Sequence, residues 1–119
     1  NMMPQEIEVF YLIPAIRRSL AQIFKNEHKL SQKEVASLLG VTEAAVYQYL
    51  KQKRAHGIKF SKKDELVLKE GAKKILSDKE NVMKYVYDLT VKLRGSDAMC
   101  ELHKSQDKNV DVNCRICME

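Results

Sequence analysis

The residues best suited to chemistry lie near the end of the chain, where CELHKSQDKNVDVNCRIC runs from Cys100 to Cys117 and holds all three cysteines. Cys100 and His103 stand three residues apart, so on a short helix begun near Ser96 they share one face and can grip one ion together. Cys114 and Cys117 have the two-residue spacing of a zinc knuckle, and the ten residues between the pairs are polar and lack a helical period. Three thiolates and one imidazole complete a tetrahedral structural zinc site, which is the first reading. The same donors can hold an iron–sulfur cluster, although the commonest clusters take four cysteines. A third reading needs no metal: Cys114 and Cys117 as a redox dithiol, with Cys100 buried and His103 at the surface. His28 and His56 fall in no ligand pattern and are expected at the surface.

Such groups need a scaffold, and 119 residues, 45% of them apolar, supply one modest domain with a single core. A separate catalytic domain does not fit. The chain has no phosphate-cradling glycine loop, no nucleophile elbow, and too few histidines for a metal active site beyond the tail, so no enzyme and no small-molecule substrate are expected. Glu6 and Glu8 stand among the first hydrophobic residues without a basic leader, which does not read as a secretory signal, and no apolar run is long enough for a bilayer. The expected location is the cytoplasm, away from membranes. Disulfides are rare there, which is why the paired cysteines are read as ligands or redox thiols.

Charge divides the chain into two parts. Residues 1–94 hold 18 Lys and Arg against 11 Asp and Glu, whereas residues 95–119 hold 3 against 5. The expected organisation follows this break: a helical domain over 1–94 and a Cys/His metal-binding segment over 95–119. Within the basic part, KQKRAHGIKFSKK (residues 51–63) carries six Lys and Arg and no acid. A strip of this kind is either a solvated face or a phosphate-binding surface, and its position decides.

The elements that must position these groups read as helices throughout, since no strict apolar–polar alternation reaches strand length outside short runs such as EIEVFYL. The expected fold is all-α, with roughly five helices. Pro4 suits a first helical turn, with Glu6 and Glu8 favourable to the dipole, and Pro14 kinks or restarts that helix. Ile16, Leu20, Ile23 and Phe24 form a core-facing stripe running to about His28. Ser31 and Glu34 make a capping box, Gly40 ends that helix, and Thr42 caps the next. Ser61 or Asp64 opens a helix through Leu76, with Gly71 inside it as a point of close packing. Ser77 and Glu80 make a further capping box for a helix to about Arg94, ended by Gly95. In that last helix Val82, Val86, Leu89 and Leu93 form a seam for the core or for a second copy.

Two short capped helices separated by a glycine turn, as in SQKEVASLLGVTEAAVYQYL (residues 31–50), define a helix-turn-helix motif over about 31–52. Ala36 is small where the second helix must approach, and Val41, Val46 and Leu50 supply an apolar underside. A generic helical hairpin would share these caps; the basic strip directly after the second helix favours the motif.

This stretch resembles the helix-turn-helix of repressor-type transcription regulators, including the phage repressor-like family. Taken with IPAIRRSLAQ (residues 13–22), it also resembles a group of small archaeal predicted regulators. The resemblance covers roughly the first half of the chain. It implies a DNA-binding fold of about five helices, usually acting as a homodimer on double-stranded DNA.

If Thr42 starts the recognition helix, the first turns after it point into the major groove, where each base pair shows a distinct pattern of donors and acceptors. The outward candidates for base reading are Glu43, Ala44, Tyr47, Gln48 and Lys51. Gln48 suits adenine, Lys51 guanine or phosphate, Glu43 a cytosine amino group, and Ala44 a thymine methyl. Glu43 equally suits a helix N-terminus as a charge, and Tyr47 can pack rather than read. Gln32, Lys33, Thr42, Lys53 and Arg54 are the candidates for phosphate contact. The expectation is a sequence-specific transcriptional regulator whose metal segment either senses metal or redox state or acts as a passive staple. The alternative is an RNA- or protein-binding helical module with a structural zinc.

Overall fold

The computed structural model of the chain describes residues 3–51 and 58–94, and the described residues are all-α with no strand among them. Helix α1 (Pro4–Ile7) passes into a π-helical turn (Glu8–Leu12) and on into α2 (Ile13–Asn26) without leaving helical dihedrals. Then follow α3 (Gln32–Leu39), α4 (Glu43–Lys51), α5 (Lys62–Ser77), a 3₁₀ turn (Lys79–Asn81) and α6 (Val82–Leu93). Counting the first rod once, there are five helical bodies among the described residues.

The π turn accounts for how one rod contains Pro14. Proline has no N–H, and its ring presses on the carbonyl four residues back. Widening the preceding turn relieves this, and Ile13 N–H duly reaches back five residues to the Glu8 carbonyl. Pro14 thus does not restart the helix; the local distortion is the π turn just ahead of it. Glu6 behaves as a first-turn acid, accepting the Met3 N–H at 3.1 Å. Glu8 does not serve the dipole: its carboxylate accepts from Arg94 Nε at 2.8 Å, tying the start of the domain to the end of α6.

α2 is the central rod and touches α3, α4, α5 and α6. Residues on nearly every side of it are buried, among them Ile16, Leu20 and Phe24 of the expected stripe. Ile23 is half-buried, and the helix stops at Asn26, short of His28. His28 is half-buried with its ring centroid 6.4 Å from that of Phe24, so it is not a free surface residue. Removing a wholly buried phenyl such as Phe24 costs about 3–5 kcal/mol, because the cavity left behind closes only in part.

The caps form largely where the residue types place them. Ser31 Oγ accepts the Glu34 N–H at 3.1 Å, and Glu34 returns a carboxylate oxygen to the Ser31 N–H at 3.2 Å. Ser61 and Asp64 repeat that exchange at the head of α5. The box expected from Ser77 and Glu80 is absent. Ser77 closes α5 instead, its hydroxyl donating to the Lys74 carbonyl at 2.8 Å, and Asp78 takes over the junction. Its carboxylate accepts from Asn81 Nδ2 and from the Tyr85 hydroxyl, both at 2.9 Å, and α6 begins only at Val82.

The seam on α6 belongs to the core: Leu89 and Leu93 are buried, with Val82 and Val86 packed against them. Gly71 permits this approach. A Cβ added there would lie 2.8 Å from Leu89 Cδ1, too close for any side chain without movement of a buried leucine. Residues 95–119, and with them the expected metal-binding segment, lie outside the described residues.

Candidate nucleic-acid interface

The region from Ser31 to Lys51 is built from its turn outwards. Leu39 must be followed by a change of direction, and Gly40 makes it in the left-handed region at φ 66°, where a side chain would be strained. The amides of Gly40 and Val41 both close on the Ala36 carbonyl, which satisfies the end of α3. Thr42 then caps α4, its hydroxyl accepting the Ala45 N–H at 3.0 Å. Ala36 is buried where α4 packs on α3, Val46 is wholly buried, and Val41 and Leu50 are half-buried beneath.

With that underside fixed, the helical period decides what faces outward. Glu43, Ala44, Tyr47, Gln48 and Lys51 are all exposed, so the five base-reading candidates lie together on one face of α4. Lys51 Nζ sits 5.6 Å from the Tyr47 ring centroid, one helical turn away, and the pair shield one another while remaining open to solvent. Near its end α4 is anchored to the central rod, where Gln22 Nε2 donates to the Tyr49 carbonyl at 3.2 Å.

The candidates for phosphate contact are spread more widely. Lys33 is exposed in the first turn of α3 and Gln32 beside it is half-buried. Thr42 is exposed, but its hydroxyl oxygen is engaged as the cap of α4. Lys53 and Arg54 lie outside the described residues, as do the four donors Cys100, His103, Cys114 and Cys117. Among the described residues no three His, Cys, Asp or Glu side chains gather as a metal site, and no helix is long and apolar enough to cross a membrane.

Two features have weaker signals in the sequence. Met83, Tyr87 and Val91 step by four along the outer face of α6 and are all exposed, 87% for Met83. Their spacing is visible in the sequence, but the richer seam of Val82, Val86, Leu89 and Leu93 hides it. Arg18 is only 7% exposed, and burial pushes its guanidinium pKa down, with Tyr49 acting in the opposite sense. Its sign was a second arginine in IRRSLAQ on a helix with almost no outer face.

Compared with known protein families, curated proteins and solved structures, the chain matches none. The functional reading therefore rests on the residues themselves.

Proposed function

We propose that the chain is a sequence-specific DNA-binding regulator in which α3 and α4 form a helix-turn-helix and α4 enters the major groove. The observation that carries this reading is the face of α4. Mostly hydrogen-bonding and small side chains, Glu43, Ala44, Gln48 and Lys51 with Tyr47 among them, are presented together and unpaired with the core, on a helix held from beneath by Val46 and capped by Thr42. Groups of these kinds match base edges, whereas the centre of a protein–protein interface is poor in charged residues such as Glu43 and Lys51. The net charge of +5 favours any nucleic acid. The test is a competition at fixed salt between duplex DNA and a structured RNA for the whole chain. Preference for duplex DNA, with a recoverable consensus after selection from random sequence, supports the proposal; preference for the RNA replaces it with the RNA-binding reading.

Pairing of two copies is part of the same proposal, since two half-sites about 34 Å apart are the usual target of such a motif. The inner seam of α6 is occupied by the core, so what supports pairing is the exposed row Met83, Tyr87 and Val91.

The tail adds a second element. We infer a metal site from the donor types and spacing of Cys100, His103, Cys114 and Cys117, with zinc preferred and an iron–sulfur cluster next. Metal analysis and an absorption spectrum of protein purified without oxygen separate the two. Chelation then separates a sensor, which loses DNA while its helices persist, from a staple, which loses both together.

A further inference from the structure

Between α2 and α5 lies a cavity of about 560 Å³. That volume falls within the roughly 300–1,000 Å³ usual for small-molecule sites. Its wall is mixed: Ile23 from α2, Ile58 and Phe60 ahead of α5, and Leu68 from α5 give it an apolar part among polar and charged side chains. It also contains Arg18, which is more than nine-tenths buried and has no hydrogen-bond or ion-pair partner among the described residues.

That combination calls for an explanation. A guanidinium does not shed its charge at any ordinary pH, and a charge kept from water without a partner is costly. Glu27 and Glu65 line the same cavity, yet neither is within ion-pair distance of Arg18, and Lys59 and Lys69 offset their charge. The planar fork of N–H donors on an arginine is matched by a carboxylate, which takes two parallel hydrogen bonds.

We propose that this cavity binds a small organic acid, with its carboxylate on Arg18 and an apolar body against Ile23, Phe60 and Leu68. A bare inorganic anion would leave the apolar wall unfilled, and a neutral apolar compound would leave the guanidinium unpaired. The site is linked to the end of α4 through one residue of α2. Gln22, in the same wall, donates to the Tyr49 carbonyl of α4. An occupant would thus bear on the placement of α4. That regulatory consequence rests on the DNA-binding reading, while the binding site itself does not.

The test is titration of the whole ¹⁵N-labelled chain with sodium benzoate, sodium hexanoate and inorganic phosphate at constant ionic strength. Expected are saturable shifts at the Arg18 Nε–H and at the amides of Ile23, Phe60 and Leu68 with benzoate or hexanoate, at a Kd of about 1–10 mM. Arg18→Met, which exchanges a buried charge for an apolar chain of similar length and so should still fold, should weaken this at least about tenfold. Glu65→Gln, at an exposed position, should tighten it slightly by removing a like charge from the cavity wall. Absence of saturable shifts with either organic acid, equal binding by Arg18→Met, or saturation by phosphate alone would overturn the proposal. Binding with no effect on DNA affinity keeps the site and removes only its regulatory consequence.

Discussion

Two helix pairs flank α2, and they are finished differently. The α3–α4 pair turns on Gly40, whose role is conformational: its φ is +66°, and a Cβ added there would meet no atom within 4 Å. The α5–α6 pair turns on Asp78, and its glycine sits mid-helix at Gly71, where the need is space for Leu89. Their outer faces differ as well. α4 shows solvent Glu43, Ala44, Gln48 and Lys51 with one aromatic, Tyr47, while α6 shows the apolar row Met83, Tyr87 and Val91 beside Lys84 and Lys92. The same architectural unit thus offers a mostly hydrogen-bonding face in one case and a more apolar one in the other, and the difference lies in the outward residues rather than in the packing.

The comparison can be broken hardest at Gly71. Gly71→Val forces methyl groups against the buried Leu89 and should destabilise the domain by about 2–3 kcal/mol, seen as a lower urea midpoint with an unchanged slope. Loss of under about 0.5 kcal/mol would mean that the α5–α6 contact is loose. Gly40→Ala meets open space and suffers only from its dihedral, so a loss of about 1 kcal/mol is expected. The ranking of the two, space above conformation, is the point under test.

Met83→Lys combined with Tyr87→Lys sharpens the contrast between outer faces. Both positions are exposed, so thermal stability of the isolated chain should change little, about 0.5 kcal/mol or less for each. Light scattering after size exclusion should show the pair of copies giving way to single chains. An unchanged mass would move the pairing surface elsewhere.

The subtlest effect is that of pH on the Asp78 junction. Hydrogen bonds from Asn81 and then Tyr85 hold the Asp78 carboxyl below its ordinary pKa, and the same bond to Asp78 raises Tyr85 above its own. For the depressed carboxyl, the stabilisation is present above the ordinary carboxylate range and is lost as pH falls through the lowered value. For the raised phenol it is present below about pH 10 and is lost as pH rises through the raised value. Asp78→Asn should flatten both limbs of a urea-midpoint profile, while Glu80→Gln, at the position first expected to cap α6, should leave them intact.

Much of this architecture was legible because local chemistry and global packing agree. Ser31 with Glu34, Gly40, and Thr42 each satisfy a backbone requirement within a few residues of themselves, so their types alone locate α3 and α4. The outward face of α4 followed from Val46 and Leu50 by period. The rest depended on contacts that no local pattern carries. Glu8 had two available uses, at a helix start or in a long-range pair, and only the approach of Arg94 decides between them. Ser77 and Asp78 compete for one junction, and the reach of Tyr85 favours Asp78. Pro14 reads as a kink or a restart, yet a wider turn ahead of it carries the helix on. Arg18 is only hinted at by the second arginine of IRRSLAQ, and its burial becomes plain only when α5 and the segment before it close over α2.

The central claim is that α4 reads bases while α3 and its surroundings hold phosphates. The most direct measurement is binding of Gln48→Ala and Lys33→Ala to the selected duplex and to a scrambled one, by anisotropy across a range of salt. Gln48→Ala should lose about 1–3 kcal/mol of discrimination between the two duplexes while its salt slope is kept. Lys33→Ala should weaken both about equally and lower the slope by about one. If Gln48→Ala discriminates as well as the unaltered chain, or if neither variant differs from it, α4 is not the reading helix and the account fails.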